Sequence, residues 1–302
     1  MPRVATLPLQ RVMSGAMQRA QADLAATQSR LDTGKSATTY ADLGTETVRN
    51  LSVHSMLARQ DAQSTVAKRV GTTLSLYQGN LESIDTTIGG LQTDLLTAIG
   101  TGDSSALSAA ISTAFDLFSH ALNASDGGAP LFGGGQVDKP PFAVGSLADA
   151  LTIDADSAFL DDGVRVSARV ADGVDMKYGI GASEMGKGIY EAFRTLAQLG
   201  TLGEKPTDAQ VDIMKQALGQ IGTGLSDLRT VNAANGRRQG QLETLIERGE
   251  QRELLFQGVI QHHEDADLGQ VAIDLANQMT VLQASYSAFS KLGGLSLVSF
   301  LR

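Results

Sequence analysis

The residues with the greatest potential for chemistry form one histidine-containing acidic run near the C-terminal end of the chain, His262-His263-Glu264-Asp265-Ala266-Asp267. Imidazole and carboxylate groups are the ligands that zinc and other divalent cations use in proteins. Neighbouring helix residues point about 100° apart, however, so only His263 and Asp267, at positions i and i+4, could converge on one ion. Two ligands do not make a metal site. We interpret the run as a solvated helix junction, in which Asp267 can cap a helix that begins at Leu268.

Glycine-rich segments and isolated histidines are the remaining candidates for a catalytic or cofactor-binding site. The run Gly133-Gly134-Gly135 lacks the GxxxxGK[ST] and GxGxxG spacings that hold phosphate groups, and is more typical of a tight turn. His54 and His120 are isolated, and no spacing of serine, histidine and aspartate indicates a triad. The chain has no cysteine, which excludes thiolate metal sites and a cysteine nucleophile. We therefore predict no catalytic residue, no cofactor and no metal, and we do not expect an enzyme.

Composition argues against two classes of binding protein. Acidic residues outnumber basic ones by 33 to 24, which gives a formal net charge of −9 at pH 7. Nucleic-acid binding needs a basic surface that displaces counterions from phosphates, and anionic membranes attract basic segments. No stretch approaches the ~18 consecutive apolar residues of a membrane-spanning helix. The N-terminal residues also lack the apolar core of a cleavable signal peptide. We therefore expect no nucleic-acid partner, no membrane insertion and, if the protein is exported, no cleaved signal.

Apolar residues recur with a heptad-like spacing at both ends of the chain. Alternating intervals of four and three residues place one narrow stripe on a helix face, as a coiled-coil partner requires. A single helix of this kind is marginal in water, so each end needs a partner, and pairing of the two ends meets that need. We predict an assembly seam on the terminal helices, formed by Met13, Met17, Leu24, Leu31, Leu268, Leu275, Met279, Leu282, Tyr286 and Phe289.

Two further stripes in the middle of the chain indicate long core helices. They run from Val70 to Leu95 and from Val211 to Leu228 with the same intervals, and a weaker stripe continues from Leu242 to Ile260. We interpret these stripes as intramolecular core, in contrast to the terminal ones. Pro206-Thr207-Asp208 marks the start of the second long helix, because proline is tolerated in or just before a first helical turn.

The stretch between residues 128 and 183 differs from the helical regions on either side. It begins within DGGAPLFGGGQVDKPPF, whose glycines and prolines break helices. Short apolar segments follow, among them Leu151-Thr152-Ile153. Val164–Val170 alternates apolar with polar residues between two Asp-Gly turn signals, which is the pattern of a half-buried strand. We therefore predict a small β-rich insertion.

Together these elements predict a mainly α fold. It is a long antiparallel helical bundle or coiled coil, with paired N- and C-terminal helices and a small β-rich insertion domain. We predict a terminal coiled-coil domain from residues 1–42 and 264–302, a helical bundle core from residues 43–127 and 184–263, and the insertion domain from residues 128–183.

Three segments, in the expected order along the chain, resemble the flagellin family. Gln28–Lys35 is similar to the family's N-terminal block, where a helix closes on a Ser/Thr-Gly-Lys/Arg turn. Asn235–Glu243 resembles its block of small, Gly, basic and then Leu-Glu residues on the second long helix. Asp265–Leu268, with Leu282–Tyr286 and Leu295–Leu297, resembles its C-terminal block. The resemblance covers both terminal regions and is weaker between them.

Within this family the chain is most similar to members that join the hook to the filament. Leu131–Gly134, followed by Pro140-Pro141-Phe142, resembles their Phe-small-Gly turn and downstream Pro-Phe. Asp161–Gly173 and Met176–Gly181 resemble their β domain. One departure is that Tyr40–Gly44 replaces the usual Asp-Asp-Pro after the first turn.

The resemblance implies a structural subunit of the bacterial flagellum that is extracellular after export through the flagellar type III apparatus, without a cleaved signal peptide. It implies a junction adaptor whose partners are further copies of itself in a ring, flagellin, the other hook-associated junction protein and a flagellar export chaperone. A filament flagellin is the alternative within the family. A secreted enzyme or effector that uses the β-rich insertion is a remote alternative, which no catalytic constellation supports.

Overall fold

The computed structural model describes residues 6–37 and 39–298 of the chain, and their side chains only within residues 11–291. The outermost parts of the predicted terminal domain, residues 1–5 and 299–302, lie outside the described residues, as do the side chains of Leu295 and Leu297. The α-helices of the described part are α1 Thr6–Thr33, α2 Thr47–Thr101, α3 Leu107–Leu122, α4 Ala155–Ala158, α5 Ala182–Ala197, α6 Asp208–Glu264 and α7 Leu268–Val298. Short 3-10 helices span Tyr40–Glu46 and Asp149–Leu151.

Two antiparallel hairpins form the β structure of the described residues. The first pairs β1 Ser125–Asp126 with β2 Ala129–Pro130, and the second pairs β3 Ser167–Ala171 with β4 Val174–Lys177. An isolated bridge between Phe142 and Phe159 ties the segment between the hairpins together. The fold is therefore mainly α with a small β region, as predicted.

The contacts divide the chain into two compact units, a terminal unit of residues 1–59 and 252–302 and a central unit of residues 60–251. In the terminal unit α1 packs against α7, so the predicted pairing of the two chain ends is confirmed. The β hairpins lie in the central unit together with α3, α4 and α5. The finer division into three domains stays a prediction.

In the central unit α2 and α6 run antiparallel. Asn235 on α6 donates a hydrogen bond to the carbonyl of Leu74 on α2 over 2.9 Å, and Arg229 pairs with Asp85 over 2.8 Å. The predicted stripe on α2 is buried along its whole length from Val70 to Leu95. It is core, as predicted from its spacing.

A cap places the start of α6 where the sequence predicts it. The Thr207 hydroxyl accepts a hydrogen bond from the backbone N–H of Gln210. The side-chain oxygen of Gln210 accepts one from the backbone N–H of Thr207. This reciprocal arrangement satisfies amides that have no partner within the helix.

The β-rich insertion shares its core with the helices. Phe142 contacts Phe115 and Phe118 of α3, and also Phe159 and Tyr190, with ring centroids 5.3–6.1 Å apart. Aromatic rings at these separations add to the stability that burial of their area supplies. The 128–183 stretch therefore contributes to the core of the central unit.

The strand predicted within the insertion is present, and the short apolar segment that precedes it forms a turn. The predicted strand within Val164–Val170 overlaps β3, and Asp172-Gly173 forms its turn, with Gly173 at a positive φ of 69°. Leu151–Ile153 belongs instead to a 3-10 turn, because the Asp149 carbonyl accepts hydrogen bonds from the amides of Thr152 and Ile153. The Ser146 hydroxyl also bonds to the Asp149 carboxylate at this turn.

Candidate functional site

The turn after α1 sets how the terminal helices meet. Gly34 closes α1 at a positive φ of 68°, which a residue with a side chain rarely adopts. Lys35 then forms an antiparallel bridge with Asp265, and the Ala266 amide donates to the Gly34 carbonyl over 2.9 Å. This backbone pairing places the end of α1 beside the start of α7.

Asp267 caps α7, as the sequence predicts. Its carboxylate accepts hydrogen bonds from the amides of Gly269 and Gln270, at 2.9 and 3.2 Å. A carboxylate at this position satisfies amides that lack a partner in the first helical turn and interacts favourably with the helix dipole.

Among the described side chains of α7, up to residue 291, those with the least solvent exposure form one face that differs in part from the predicted stripe. This face contains Val271, Leu275, Gln278, Leu282 and Ser285. Leu275 and Leu282 belong to both sets. Three other members of the predicted stripe lie on a neighbouring flank of α7 and are largely exposed, at 50% for Leu268, 47% for Met279 and 45% for Tyr286. Phe289 is also exposed. We call Leu268, Met279 and Tyr286 the exposed flank of α7.

The predicted residues of α1 are only half-buried. Met13, Met17 and Leu24 are intermediate in exposure, and Leu31 is exposed near the end of the helix. The most buried position on this face is the polar Thr27, whose hydroxyl donates to the Asp23 carbonyl of its own helix.

Polar groups also lie within the terminal pair. Gln21 on α1 donates from Nε2 to the Tyr286 hydroxyl on α7 over 2.5 Å. The side-chain oxygen of Gln278 is buried and has no hydrogen-bond partner among the described residues. An unsatisfied buried polar group costs about 1–3 kcal/mol. The packing of α1 against α7 is therefore less stable than an apolar seam of the same length would be.

The candidate metal-binding run forms part of a hydrogen-bonded cluster at this junction. Glu264 accepts a hydrogen bond from Asn50 Nδ2 over 2.9 Å, and its Oε1 lies 2.6 Å from His54 Nε2. Lys35 Nζ lies 3.5 Å from the other Glu264 oxygen and 2.7 Å from Asp265 Oδ1. We call Lys35, Asn50, His54, Glu264 and Asp265 the polar clasp.

The clasp favours the charged forms of Glu264 and Lys35. The hydrogen bond with His54 lowers the pKa of Glu264, and the bond from Asn50 acts in the same direction against an opposing effect of burial. The hydrogen bond to Asp265 raises the pKa of Lys35. Lys35 and Asp265 are both solvent-accessible, so the hydrogen bonds to the more buried Glu264 contribute most to stability.

Sequence reasoning missed the clasp because its members are far apart in the chain. His54 and Glu264 are separated by 210 positions. The strongest sequence signal for the clasp was the polar run at 262–267, which follows the apolar stripe from Leu242 to Ile260. In the described part of the chain, no three His, Cys, Asp or Glu side chains are placed to hold a metal ion.

The glycine run forms a turn closed by a carboxylate of the chain itself. Asp162 Oδ1 accepts hydrogen bonds from the amides of Gly135 and Val164, at 3.0 and 2.9 Å. The bond from Gly135 lowers the pKa of Asp162, and the one from Val164 reinforces the effect. The Asp162 carboxylate thus lies against the backbone that a phosphate would need.

None of the helices described by the structure is both long and apolar enough to cross a membrane.

Comparisons with known proteins identify the fold. No protein-family model matches the sequence, and no curated protein matches it. A solved structure from Vibrio parahaemolyticus, described as a flagellar hook-associated protein, superposes with a TM-score of 0.62 at 18% identity, over 74% of this chain and 99% of that one. FlgL from Bacillus cereus superposes with a TM-score of 0.58 at 12% identity, over 69% of this chain and 98% of that one. The chain therefore shares its fold with flagellar proteins.

Proposed function

We propose that this chain is a structural, non-catalytic subunit of the bacterial flagellum that serves as an adaptor between hook and filament. Three sequence segments that resemble the flagellin family support the proposal. The fold shared with a protein described as hook-associated and with FlgL supports it independently. Its proposed partners are further copies of itself in a ring, flagellin, the other hook-associated junction protein and an export chaperone.

The exposed flank of α7 is the observation that carries an assembly role. Leu268, Met279 and Tyr286 are 11 and 7 residues apart, so they lie close together around the helix. Fully burying a large apolar side chain contributes about 1.5–3 kcal/mol relative to leaving it exposed. Docking of a neighbouring subunit would bury this flank while Leu275 and Leu282 remain packed against α1.

The polar positions inside the terminal pair suit a subunit that must be exported before it assembles. The unsatisfied side-chain oxygen of Gln278 weakens the pair, so less free energy is needed to separate α1 from α7. We propose export in an unfolded state through the type III apparatus, followed by refolding of the pair and docking of the subunit. The free energy from the newly buried flank would then offset the entropy lost on ordering.

The experiment is to locate and count the protein on isolated flagella. Quantitative mass spectrometry of sheared flagella should find it at a small fraction of the major flagellin. Deletion of its gene should leave hooks in place while flagellin accumulates in the medium without filaments. Absence of the protein from flagella would refute a flagellar role. If the chain is instead the main protein of the filament, the result supports the alternative that it is a filament flagellin.

A further inference from the structure

A groove in the central unit lies between the second hairpin and α6. It has a volume of about 500 Å³ and is lined by Val174–Lys177 of β4 and by Arg238, Gln241, Thr244, Leu245 and Arg248 of α6. Its apolar wall includes Met176, which is buried, and Leu245, which is partly buried. The groove therefore combines an apolar wall with several charged side chains.

Three of the groove's side chains are cationic, and of these Arg238 has an attractive electrostatic interaction with Glu184. Lys177, Arg238 and Arg248 make no ion pair or side-chain hydrogen bond within the described part of the chain. Asp175, which also lines the groove, is already paired with Arg169 through two contacts of 2.9 and 3.1 Å. Lys177 and Arg248 thus remain available to an incoming anionic group, and Arg238 adds a third positive charge that no hydrogen bond or ion pair holds.

Arg238 is the most enclosed of these cations. Burial lowers its pKa, and the neighbouring Arg165 guanidinium acts in the same direction, while the Glu184 carboxylate opposes both. An arginine in this environment gains from a carboxylate that approaches it, because its own charge is poorly solvated there.

We propose that this groove, lined by Lys177, Arg238 and Arg248, binds an acidic surface segment of a second copy of this chain. The inference rests on the proposed function, in which copies lie side by side in a ring. A contact between a groove on one copy and a different surface on the next is heterologous, and repeated heterologous contacts form a ring when the rotation between neighbours closes.

Charge complementarity supports a second copy as the occupant. Each chain has a formal net charge of −9, so neighbouring copies repel one another unless opposite charges meet at the contact. The groove places unpaired cations around an apolar wall, and the remaining surface is rich in carboxylates. An acidic segment with an apolar side chain would satisfy both parts of the groove.

The test is site-specific photo-crosslinking on assembled flagella. Thr244, which lines the groove, is replaced by a photoreactive phenylalanine analogue, and the chain in sheared flagella is detected by immunoblot after irradiation. We expect a product with twice the mass of the chain, whose peptide map joins the groove to an acidic segment of a second copy. A crosslinked product with a different protein would overturn the inference. The absence of any product, when the chain is present in the flagella, would overturn it as well.

Charge-reversal variants test whether the crosslink depends on the charges of the groove or only on the proximity of two copies. Lys177→Glu with Arg248→Glu should lower the yield of the product per molecule of flagellar chain at least about tenfold, because like charges then face each other. Arg237→Glu is the matched control, since Arg237 is exposed on the same helix but does not line the groove. The control should keep the wild-type yield. Equal yields in the reversal variant and the control would contradict the proposal.

Two further experiments make the result with the reversal variant interpretable. Circular dichroism of the purified variants checks that the reversal variant folds. If it does not fold, or folds but does not join flagella, Lys177→Gln with Arg248→Gln replaces it and should lower the yield at least about threefold, because both charges are removed without repulsion. An unchanged yield in that variant would also refute the proposal. Absence of the wild-type chain from flagella refutes the proposed function instead.

Discussion

The imidazole Nε2 of His54 lies 2.6 Å from a carboxylate oxygen of Glu264, although the two residues are 210 positions apart. Asn50 donates to the same carboxylate, and the Ser36 amide donates to the Glu264 carbonyl over 2.6 Å. Glu264 is the last residue of α6, so its side chain and its backbone both bind residues that come from the N-terminal part of the chain. The polar clasp therefore holds the junction that precedes α7.

Glu264→Gln should weaken this junction. The amide keeps the shape of the side chain but loses the charge that accepts from His54 and Asn50, and we expect a loss of about 1–2 kcal/mol. Hydrogen exchange of amides at the end of α6 and the start of α7 should then speed up about tenfold, since 1.4 kcal/mol corresponds to that factor. Glu250→Gln is the control on the same helix, because the Glu250 side chain is 53% exposed against 20% for Glu264. Equal effects of both substitutions would contradict a stabilising role of the clasp.

The clasp should also make the terminal unit sensitive to acid. The pKa of Glu264 in the folded chain lies below its ordinary value of 4.5. Its contribution is therefore fully present above that value, and it is lost as the pH falls through the lower pKa of the folded state. The difference in stability between the wild type and Glu264→Gln should be largest at neutral pH and shrink below about pH 4. Thermal unfolding measured from pH 7 to pH 3 checks this, and a constant difference over that range would refute it.

The exposed flank of α7 should be needed for assembly and not for folding. Met279→Asp with Leu268→Asp places charges on a surface that faces solvent in the subunit, so we expect stability to change by less than about 1 kcal/mol. Incorporation into flagella should fail, because docking would bury two carboxylates without partners. Immunoblots of sheared flagella and thermal unfolding of the purified subunit measure the two effects.

The control for this pair is Thr280→Asp, at an exposed position about 100° around α7 from Met279 and away from the buried face. It adds the same kind of charge to the same helix and should leave incorporation intact. Leu275→Asp with Leu282→Asp should instead destabilise the terminal pair, because both residues belong to its buried face. Normal incorporation of the Met279 and Leu268 variant would show that the exposed flank is not an assembly surface.

The terminal stripes illustrate what periodicity can predict. The spacing of Leu275 and Leu282 correctly indicates a helix that needs a partner, and α7 does pack against α1. Which flank faces α1 depends on the rotation of α7, and the Gly34 turn with the Lys35–Asp265 bridge contributes to that rotation. Val271 was missed because its neighbours on the buried face, Gln278 and Ser285, are polar. The assembly role of the remaining stripe residues stays a prediction.

The core of the central unit was more predictable, because nearly every position of its stripe is apolar. The stripe from Val70 to Leu95 meets partners on α6 that follow the same spacing. The polar clasp and the groove could not be inferred, since both depend on residues brought together from distant parts of the chain. Asp149 shows the converse case, in which a local turn overrides the apolar character of Leu151 and Ile153.

Two adjacent leucines on α2 give a matched test of this core. Leu95 is fully buried and Leu96 is 56% exposed. Leu95→Ala should destabilise the chain by about 2–5 kcal/mol, because it leaves a cavity in a packed core. Leu96→Ala removes the same atoms from the surface and should change stability by less than about 1 kcal/mol. Urea unfolding monitored by circular dichroism distinguishes them, and similar losses would mean that the helix faces are wrongly assigned.

Limited proteolysis should remove the terminal unit before the central unit is cut. The terminal pair contains Thr27 and the unsatisfied Gln278, whereas the central unit has a continuous aromatic and aliphatic core. Regions with few buried apolar contacts open most readily, and proteases cleave the open form. Trypsin should therefore cut first at Arg11, Arg19, Arg30 and Lys291, and mass spectrometry should find a stable fragment that contains residues 60–251. Arg229 and Arg237 provide the internal control, because both lie on α6 within the central unit. Early cleavage at either residue, with α1 and α7 still intact, would mean that the terminal pair is the more stable part of the subunit.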